Sequence, residues 1–500
     1  MLNNLKSKLQ AFEQNYGKFI PYVLAAIFFI VNLIVFTEKD LGHDEPWSVY
    51  LGMQSMNNLI SKTFLGNPGI LFEILLHFWI KIGGIELEWM RILPLIFSTV
   101  SLVFLYKIAK HFGKIQTALI AVFLYVFSTF MHYYGFELRA YSLYTMFALM
   151  STWFLFQYLN EQNSGRKTTS HYWIWGFANL CLVYTHWFSW FFVGFQLFLT
   201  FCYFKQHRIK IIFLSGLLLI GFLPAAIKLF NWFVTLTSQG TFLTPPSKDA
   251  LYGAISHFFN DTRGFAMIAF LVCVAAFGLA IKQKERKFQL LCLNFALPFV
   301  TMFLISFKYP MWVDRYFIYV CVGLFLIFSI SLTKIYGVLK TRVTRLIFII
   351  LSICFLGYYA VSFSADHKKM YFFNYSDAVE YIRKHEKEPF VLANTGWDTA
   401  LMYAYHHPIF IQAAYGHPFG KKYDNFYFIQ LVDNSGLQAI READCDQVIV
   451  FSDRLSDENI KILLDSLAVS YPYQTEAVFF EPYNHAQIFS KTGHESNTEK

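Results

Sequence analysis

Long apolar runs, broken by short polar stretches, dominate the first 363 positions of the chain. A membrane-crossing helix needs about 20 predominantly apolar residues. Ten stretches fit: 18–36, 91–110, 115–131, 139–159, 188–204, 209–230, 264–282, 288–306, 316–333 and 346–363. An eleventh, 172–184, is short and aromatic, and its apolar character continues past His186. The pattern differs at 67–84, "NPGILFEILLHFWIKIGG", where Asn67-Pro68 and Gly83-Gly84 are start and stop signals. Glu73, His77 and Lys81 recur there at i, i+4 and i+8 and share one helical face. The stretch is too short for a hydrocarbon core about 30 Å thick and predicts an interfacial helix lying on the membrane.

Beyond 363 the pattern changes again. Strand-like runs "FVLAN", "IFIQAA", "QVIVF" and "AQIFS" alternate with helical patterns such as "SDAVEYIRKH", "DTALMYAY", "GLQAIREA" and "DENIKILLDSL". That alternation predicts a small α/β domain over 364–490. No glycine-rich phosphate loop follows any strand, "YHHP" (405–408) reads as a surface pair, and 491–500 reads as a disordered tail. The α/β domain's expected role is to pack on the outer face and shape acceptor access.

Charge fixes an orientation. With 67–84 not crossing, segments on the N-terminal side of the membrane hold 19 Lys+Arg in 62 residues. The opposite side holds 10 in 111. Cytoplasmic loops carry the excess of Lys and Arg, so the N-terminus is expected inside a cell (inner) membrane. Eleven crossings then leave the tail outside, and making 67–84 a span would export "KQKERK" and "KTRVTR". The fold class is therefore a polytopic α-helical membrane protein with about 11 transmembrane helices (1–363, with an outer loop 37–90) and a small soluble α/β domain.

Composition agrees: 56% apolar and only 15% charged, against about 25% charged in soluble domains. The net charge of +8 divides into a basic front and an acidic tail. No basic patch is interleaved with stacking aromatics, so nucleic acid is not an expected partner. Seven cysteines show no CxxC or Cys/His spacing. The run 18–36 is too long for a cleavable signal peptide.

This topology gathers unusual ionisable residues on the outer face: His43, Asp44 and Glu45 in "LGHDEPWSVYLG", Glu73 and His77, Glu137, Arg139 and Tyr141 in "GFELRAY", His186, and Lys308, Asp314, Arg315 and Tyr316 in "FKYPMWVDRYF". Ionisable residues at this depth mark function by default. Bland readings stand beside the functional one. Asp44-Glu45 could cap a helix starting at Pro46, Arg139 and Arg315 could anchor headgroups, His186 could belong to an aromatic belt, and Glu73, His77 and Lys81 could be the wet face of 67–84. Taken together, the set suits transfer from a lipid-linked phosphate. Arginine grips phosphate bidentately, and a carboxylate opposite can take a proton from an attacking hydroxyl. Lipid donor and aqueous acceptor meet at that depth.

Six motifs in order carry a family resemblance: "HDEPWSVYLG", "NPGILFEILLHFWIKIGG", "EWMRILPLIFS", "ELRAYSLY", "LVYTHWFSWF" and "DRYFIYV". Over essentially the whole membrane part the chain resembles the polytopic GT-C glycosyltransferases, of the protein mannosyltransferase-like (family 39-like) and aminoarabinose lipid A transferase group. It departs at Gly69-Ile70, where Pro-Leu is usual, and at Ala140, where proline is commoner. The resemblance implies an inverting transfer from a polyprenyl-phosphate-linked sugar to an acceptor hydroxyl on a lipid, glycan or protein at the extracytoplasmic face. It implies Asp44 as general base, assisted by Glu45. Arg139 and Arg315 would hold the donor phosphate, with Tyr141 and Tyr316 lining that pocket and His186 and Lys308 beside it. His43, Glu73, His77, Glu137 and Asp314 would line the acceptor side. Some relatives use a divalent cation near the first-loop acids. Asp44, Glu45, Glu73 and His77 are donors of the right type, but spacing does not establish a site, and no metal or other cofactor is assigned. The rival readings are a lipid or glycan transporter or flippase, a non-glycosyl lipid-headgroup transferase, and a scaffold whose acids are caps.

Overall fold

The computed structural model describes residues 16–35, 40–42, 44–63, 69–163, 169–239, 244–370, 375–395, 421–423, 426–431, 433–452, 457–480 and 484–492. It divides into two compact units, 1–37 with 51–370, and 38–50 with 371–500.

The first unit is a helical membrane body. Its helices are α1 (Ile20–Val35), α2 (Glu45–Met53, whose first six residues belong to the second unit), α3 (Met56–Thr63), α4 (Leu71–Gly83), α5 (Leu87–Phe112), α6 (Ile115–Val126), α7 (Thr129–Gly135), α8 (Tyr141–Asn163), α9 (Ser170–Thr185), α10 (Ser189–Tyr203), α11 (Arg208–Gln239), α12 (Ala250–Phe258), α13 (Arg263–Lys282), α14 (Arg286–Ser306), α15 (Ile318–Val338) and α16 (Arg342–Met370). Among the described residues six helical stretches are long and apolar enough to cross a membrane. The α6–α7 pair, bent by 65°, makes up to seven, and Ile20–Ile34 and Ser189–Tyr203 are shorter apolar helices. The chain is a multi-pass membrane protein.

Buried polar side chains tie these helices together. Gln196 Oε1 on α10 accepts from Trp175 Nε1 (2.6 Å) and Asn179 Nδ2 (3.2 Å) on α9, with the Ser151 hydroxyl of α8 2.8 Å away. Inside a bilayer such bonds join helices that the hydrophobic effect alone does not hold together. The bend between α6 and α7 frees backbone groups that need partners. Asn260 supplies them. Its Oδ1 accepts from Thr129 N at 2.9 Å, and its Nδ2 donates to the carbonyls of Phe127 (2.9 Å) and Tyr359 (3.2 Å). Asn260 sits at φ 54°, a left-handed conformation that Asn tolerates better than most residues.

Helix α4 covers less of the interval than 67–84, and its described start lies at Leu71. It is no wet face. Glu73 and His77 are each 2% exposed, and only Lys81 of the three lies open. His77 Nδ1 lies 2.8 Å from the Gly52 carbonyl. At the far end, Trp79 and Trp89 stack 4.5 Å apart, and each indole N–H donates to the other's carbonyl (2.8 and 2.9 Å). Those contacts pin α4 to α5.

Among the described residues the second unit holds a seven-stranded sheet ordered β2-β3-β1-β4-β7-β5, with β6 on β7. The strands are β1 (Phe390–Asn394), β2 (Lys421–Tyr423), β3 (Phe426–Gln430), β4 (Gln447–Ser452), β5 (Tyr473–Gln474), β6 (Val478–Phe480) and β7 (Asn484–Ser490). β1 is parallel to both β3 and β4, with Leu392 opposite Phe428 and Ile449. The helices of this unit are α17 (Tyr375–His385), α18 (Asn434–Ala443) and α19 (Glu458–Ser470). Leu437, Ile440, Ile460, Leu463 and Leu467 pack on Val391, Val448 and Val450 to make one apolar core. "FVLAN", "QVIVF" and "AQIFS" are strands as expected, β2, β3, β5 and β6 are additions, and "DTALMYAY", "IFIQAA" and "YHHP" lie outside the described residues.

Replacing Asn260 by Asp should test the α6–α7 plug. A carboxylate oxygen would then face the Phe127 and Tyr359 carbonyls. Loss of these buried bonds predicts a destabilisation on the order of 3 kcal/mol, read as a lower heat-induced aggregation midpoint in detergent.

Candidate functional site

Alternation of the helices brings four chain segments to one end of the first unit: the α7–α8 junction, the α9–α10 junction, the turn Asp314–Phe317 and the residues after α12. His186 sits at the centre. It is the residue after α9, extended at ψ 129°, and its side chain is buried. Tyr144 of α8 stacks on it, centroids 5.1 Å apart and planes 7° off parallel. Tyr316 lies 5.1 Å away, and Tyr319 lies 5.0 Å beyond Tyr144.

Burial first, and then the charges of Arg139 and Arg315, push the His186 pKa well below the usual histidine value. The imidazole is therefore neutral. The Phe188 backbone N–H donates to its Nδ1 at 3.3 Å, which puts the proton on Nε2. That Nε2–H has no hydrogen-bond partner among the described residues. A neutral buried donor beside two guanidinium groups is a ready receptor for anionic oxygen. Tyr141 lies within electrostatic reach of Arg315, Arg139 and Glu137. Arg139, Arg315, Tyr141, Tyr316, His186 and Glu137 are thus one cluster.

Its neighbours are fixed from the α4 side. The Ile70 N–H donates to the Tyr184 carbonyl at 2.9 Å. Gly69 lies so close to the Thr185 backbone that an added Cβ would collide with it, a reason for glycine at this point in the chain. The His77 Nδ1–H donates to the Gly52 carbonyl, and its buried Nε2 has no partner among the described residues. Glu73 is buried on the same helix and, like Glu137, engaged with neighbours. Lys308 is exposed and lies over the Tyr309 ring, 5.3 Å from its centroid.

Asp44 and Glu45 belong to the second unit, and His43 lies outside the described residues. Glu45 opens α2 and is buried, and its Oε2 accepts from the Gly42 N–H. Asp44 precedes it, half-buried. Asp40, a few residues earlier, caps α17: its carboxylate accepts from Ser376 N (2.8 Å) and Ser376 Oγ (2.9 Å). Among the described residues no three His, Cys, Asp or Glu side chains gather as a metal site would require.

Sequence reading missed three members, and one buried charge elsewhere in the unit. Tyr144 and Tyr319 stand inside the quoted motifs "ELRAYSLY" and "DRYFIYV" without being singled out. Arg91, in "EWMRILP", is fully buried and engaged with neighbours. His257 bridges Asp314 (Nδ1–Oδ2 2.7 Å) and Asp261 (Nε2–Oδ1 3.1 Å), while the Trp312 indole donates to Asp314 Oδ1 at 3.0 Å. Only the i, i+4 spacing of His257 and Asp261 hinted at that clasp.

The Asp314 hydrogen bond raises the His257 pKa against the opposing effect of burial, with Asp261 adding to the rise. A raised pKa means that the charged clasp is complete below the ordinary histidine value, about 6.5, and is lost as pH climbs through the higher folded-state value. Hydrogen exchange in Ala250–Phe258 and Trp312–Phe317 should quicken across that rise. His257→Gln should abolish the pH step. Because His257 is nearly half exposed, the effect should stay local and leave global stability unchanged.

Residues 67–232 match the family model for dolichyl-phosphate-mannose-protein mannosyltransferases. No curated protein gives a significant sequence match. Among solved structures, ArnT from Cupriavidus metallidurans in the apo state is similar at TM-score 0.57 and 9% identity, covering 93% of this chain and 97% of that one. The same protein bound to undecaprenyl phosphate aligns at 0.54 and 9% over 95% and 98%. The archaeal oligosaccharyltransferase AglB from Archaeoglobus fulgidus, in complex with an inhibitory peptide and a dolichol-phosphate, aligns at 0.53 and 12% over 87% and 70%. The chain is a multi-pass membrane protein with the GT-C fold of these structures, and its residues 67–232 are similar to the mannosyltransferase family.

Proposed function

We propose that this protein is a membrane glycosyltransferase that moves a sugar from a polyprenyl-phosphate carrier to an acceptor hydroxyl at the extracytoplasmic face. The observation that carries the reading is the pairing of Arg139 and Arg315 with the neutral His186. It occurs in a fold whose solved examples include complexes with undecaprenyl phosphate and dolichol-phosphate.

In this reading the guanidinium groups and the His186 Nε2–H take the donor phosphate. Their hold strengthens as the bond from the sugar carbon to the phosphate oxygen breaks and charge collects on the leaving group, which is where stabilisation lowers the barrier. Asp44 accepts the proton of the attacking hydroxyl. The new bond forms between the acceptor oxygen and the sugar carbon, and polyprenyl phosphate departs with the electron pair. A single displacement inverts the carbon. Glu45, bonded to the Gly42 N–H, supports the turn that presents Asp44. Tyr141 and Tyr316 line the phosphate side. The positive-inside distribution of Lys and Arg supports this orientation of the site.

The test is transfer from labelled polyprenyl-phosphate-hexose to extracted envelope acceptors. Asp44→Asn should lower turnover by roughly 10²–10⁴-fold and leave donor binding intact. Arg315→Ala and Arg139→Ala should lower kcat as well as raise the donor KM. Lysine at either position should restore only part of the loss, since its point charge lacks the planar fork. Full turnover in Asp44→Asn would remove the base assignment.

A further inference from the structure

Opposite the phosphate cluster, at the Lys- and Arg-rich end of the helical unit, a cavity of about 710 Å³ opens between α5, α6, α15 and α16. Its walls are mainly apolar, among them Ile120, Leu332, Phe348, Ile353 and Leu356. It exists because α16 stands off from the bundle: only 11% of its most apolar stretch is buried. The few polar groups on the wall are largely satisfied by one another and by the backbone, Thr117 donating to Thr333 at 3.2 Å and Ser352 to the Phe348 carbonyl at 2.8 Å.

A second hollow of about 490 Å³ adjoins it, sharing Phe112 and Lys334. This one is basic. Lys284, Arg286, Lys287 and Lys334 line it with Glu285 as the only acid, and Lys114 stands on the rim of the first. Glu285 pairs with Lys334, and Lys287 donates to Asn160. Lys114 and Lys284 make no ion pair among the described residues. Lys284 is held at φ 57° in the turn before α14.

We propose that these joined hollows bind an anionic phospholipid, acyl chain along α16 and headgroup phosphate among Lys114, Lys284 and Arg286. The volumes fall in the range of about 300–1,000 Å³ usual for ligand sites. An apolar slot facing lipid and ending in uncompensated cations matches an amphiphile with a negative head, and basic pockets between helices on the cytoplasmic side take such headgroups. A zwitterionic lipid would fill the slot but leave the cations unanswered. The site is separate from the donor-phosphate cluster, and its test needs no transfer activity.

Delipidated full-length protein in detergent would be titrated with phosphatidylglycerol or phosphatidylcholine and followed by native mass spectrometry. Phosphatidylglycerol should bind at least tenfold more tightly. A variant carrying Lys114→Gln, Lys284→Gln and Arg286→Gln should lose that preference. Ile353→Trp, which fills the slot and removes no charge, should weaken both lipids and keeps the proposal testable if the triple variant fails to fold. A variant carrying Lys18→Gln and Lys107→Gln, at the same end but outside the hollows, should bind like the parent. Equal affinity for the two lipids, an unaltered triple variant, or an equal loss in the Lys18/Lys107 control would each overturn the proposal. Displacement of phosphatidylglycerol by equimolar undecaprenyl phosphate would also overturn it, by assigning the slot to the carrier lipid.

Discussion

A charge set in a low-dielectric interior must be answered close by or given up, and the helical unit is organised around that requirement. Arg91, Glu73 and Glu137 are buried and engaged with neighbours. His186, buried and within electrostatic reach of two guanidinium groups, takes the other course and stays neutral. Neutral polar groups obey the same rule at the α6–α7 bend, where Asn260 answers the backbone, and at Gln196, which joins three helices. What makes His186 distinctive is the mismatch. Two guanidinium charges lie within electrostatic reach, while the ring keeps its outer donor uncommitted among the described residues.

The apolar helical runs and the strands β1, β4 and β7 were legible because long apolar stretches, and short apolar runs between amphipathic helices, are local signals. The similarity to ArnT at 9% identity extends over almost the entire chain. A fold of packed helices depends on that pattern far more than on individual residues. The environment of a polar face was not legible. Glu73, His77 and Lys81 form one stripe in the sequence, but Gly52 and the α9 end cover its first part and leave Lys81 open. Periodicity says that residues share a side and nothing about what lies against it.

The candidate site was readable in Arg139, Arg315, His186, Tyr141 and Tyr316 because bulky ionisable groups at helix mouths are rare in apolar chains. Its supports were not. The partners of His257 lie 4 and 57 positions away, and only folding brings Asp314 and Asp261 to the same ring. β3 escaped notice because a short aromatic run carries no register until a neighbour supplies it.

The bond from Asp40 to Ser376 joins positions 336 apart. It makes the stretch before Asp44 and the start of the terminal domain covalently distant pieces of one structural module. Grafting this protein's terminal domain onto a relative would strip a helix of its cap, and deleting it for crystallisation would strip the acidic loop of its moorings. A workable chimaera must exchange 38–50 together with the terminal domain.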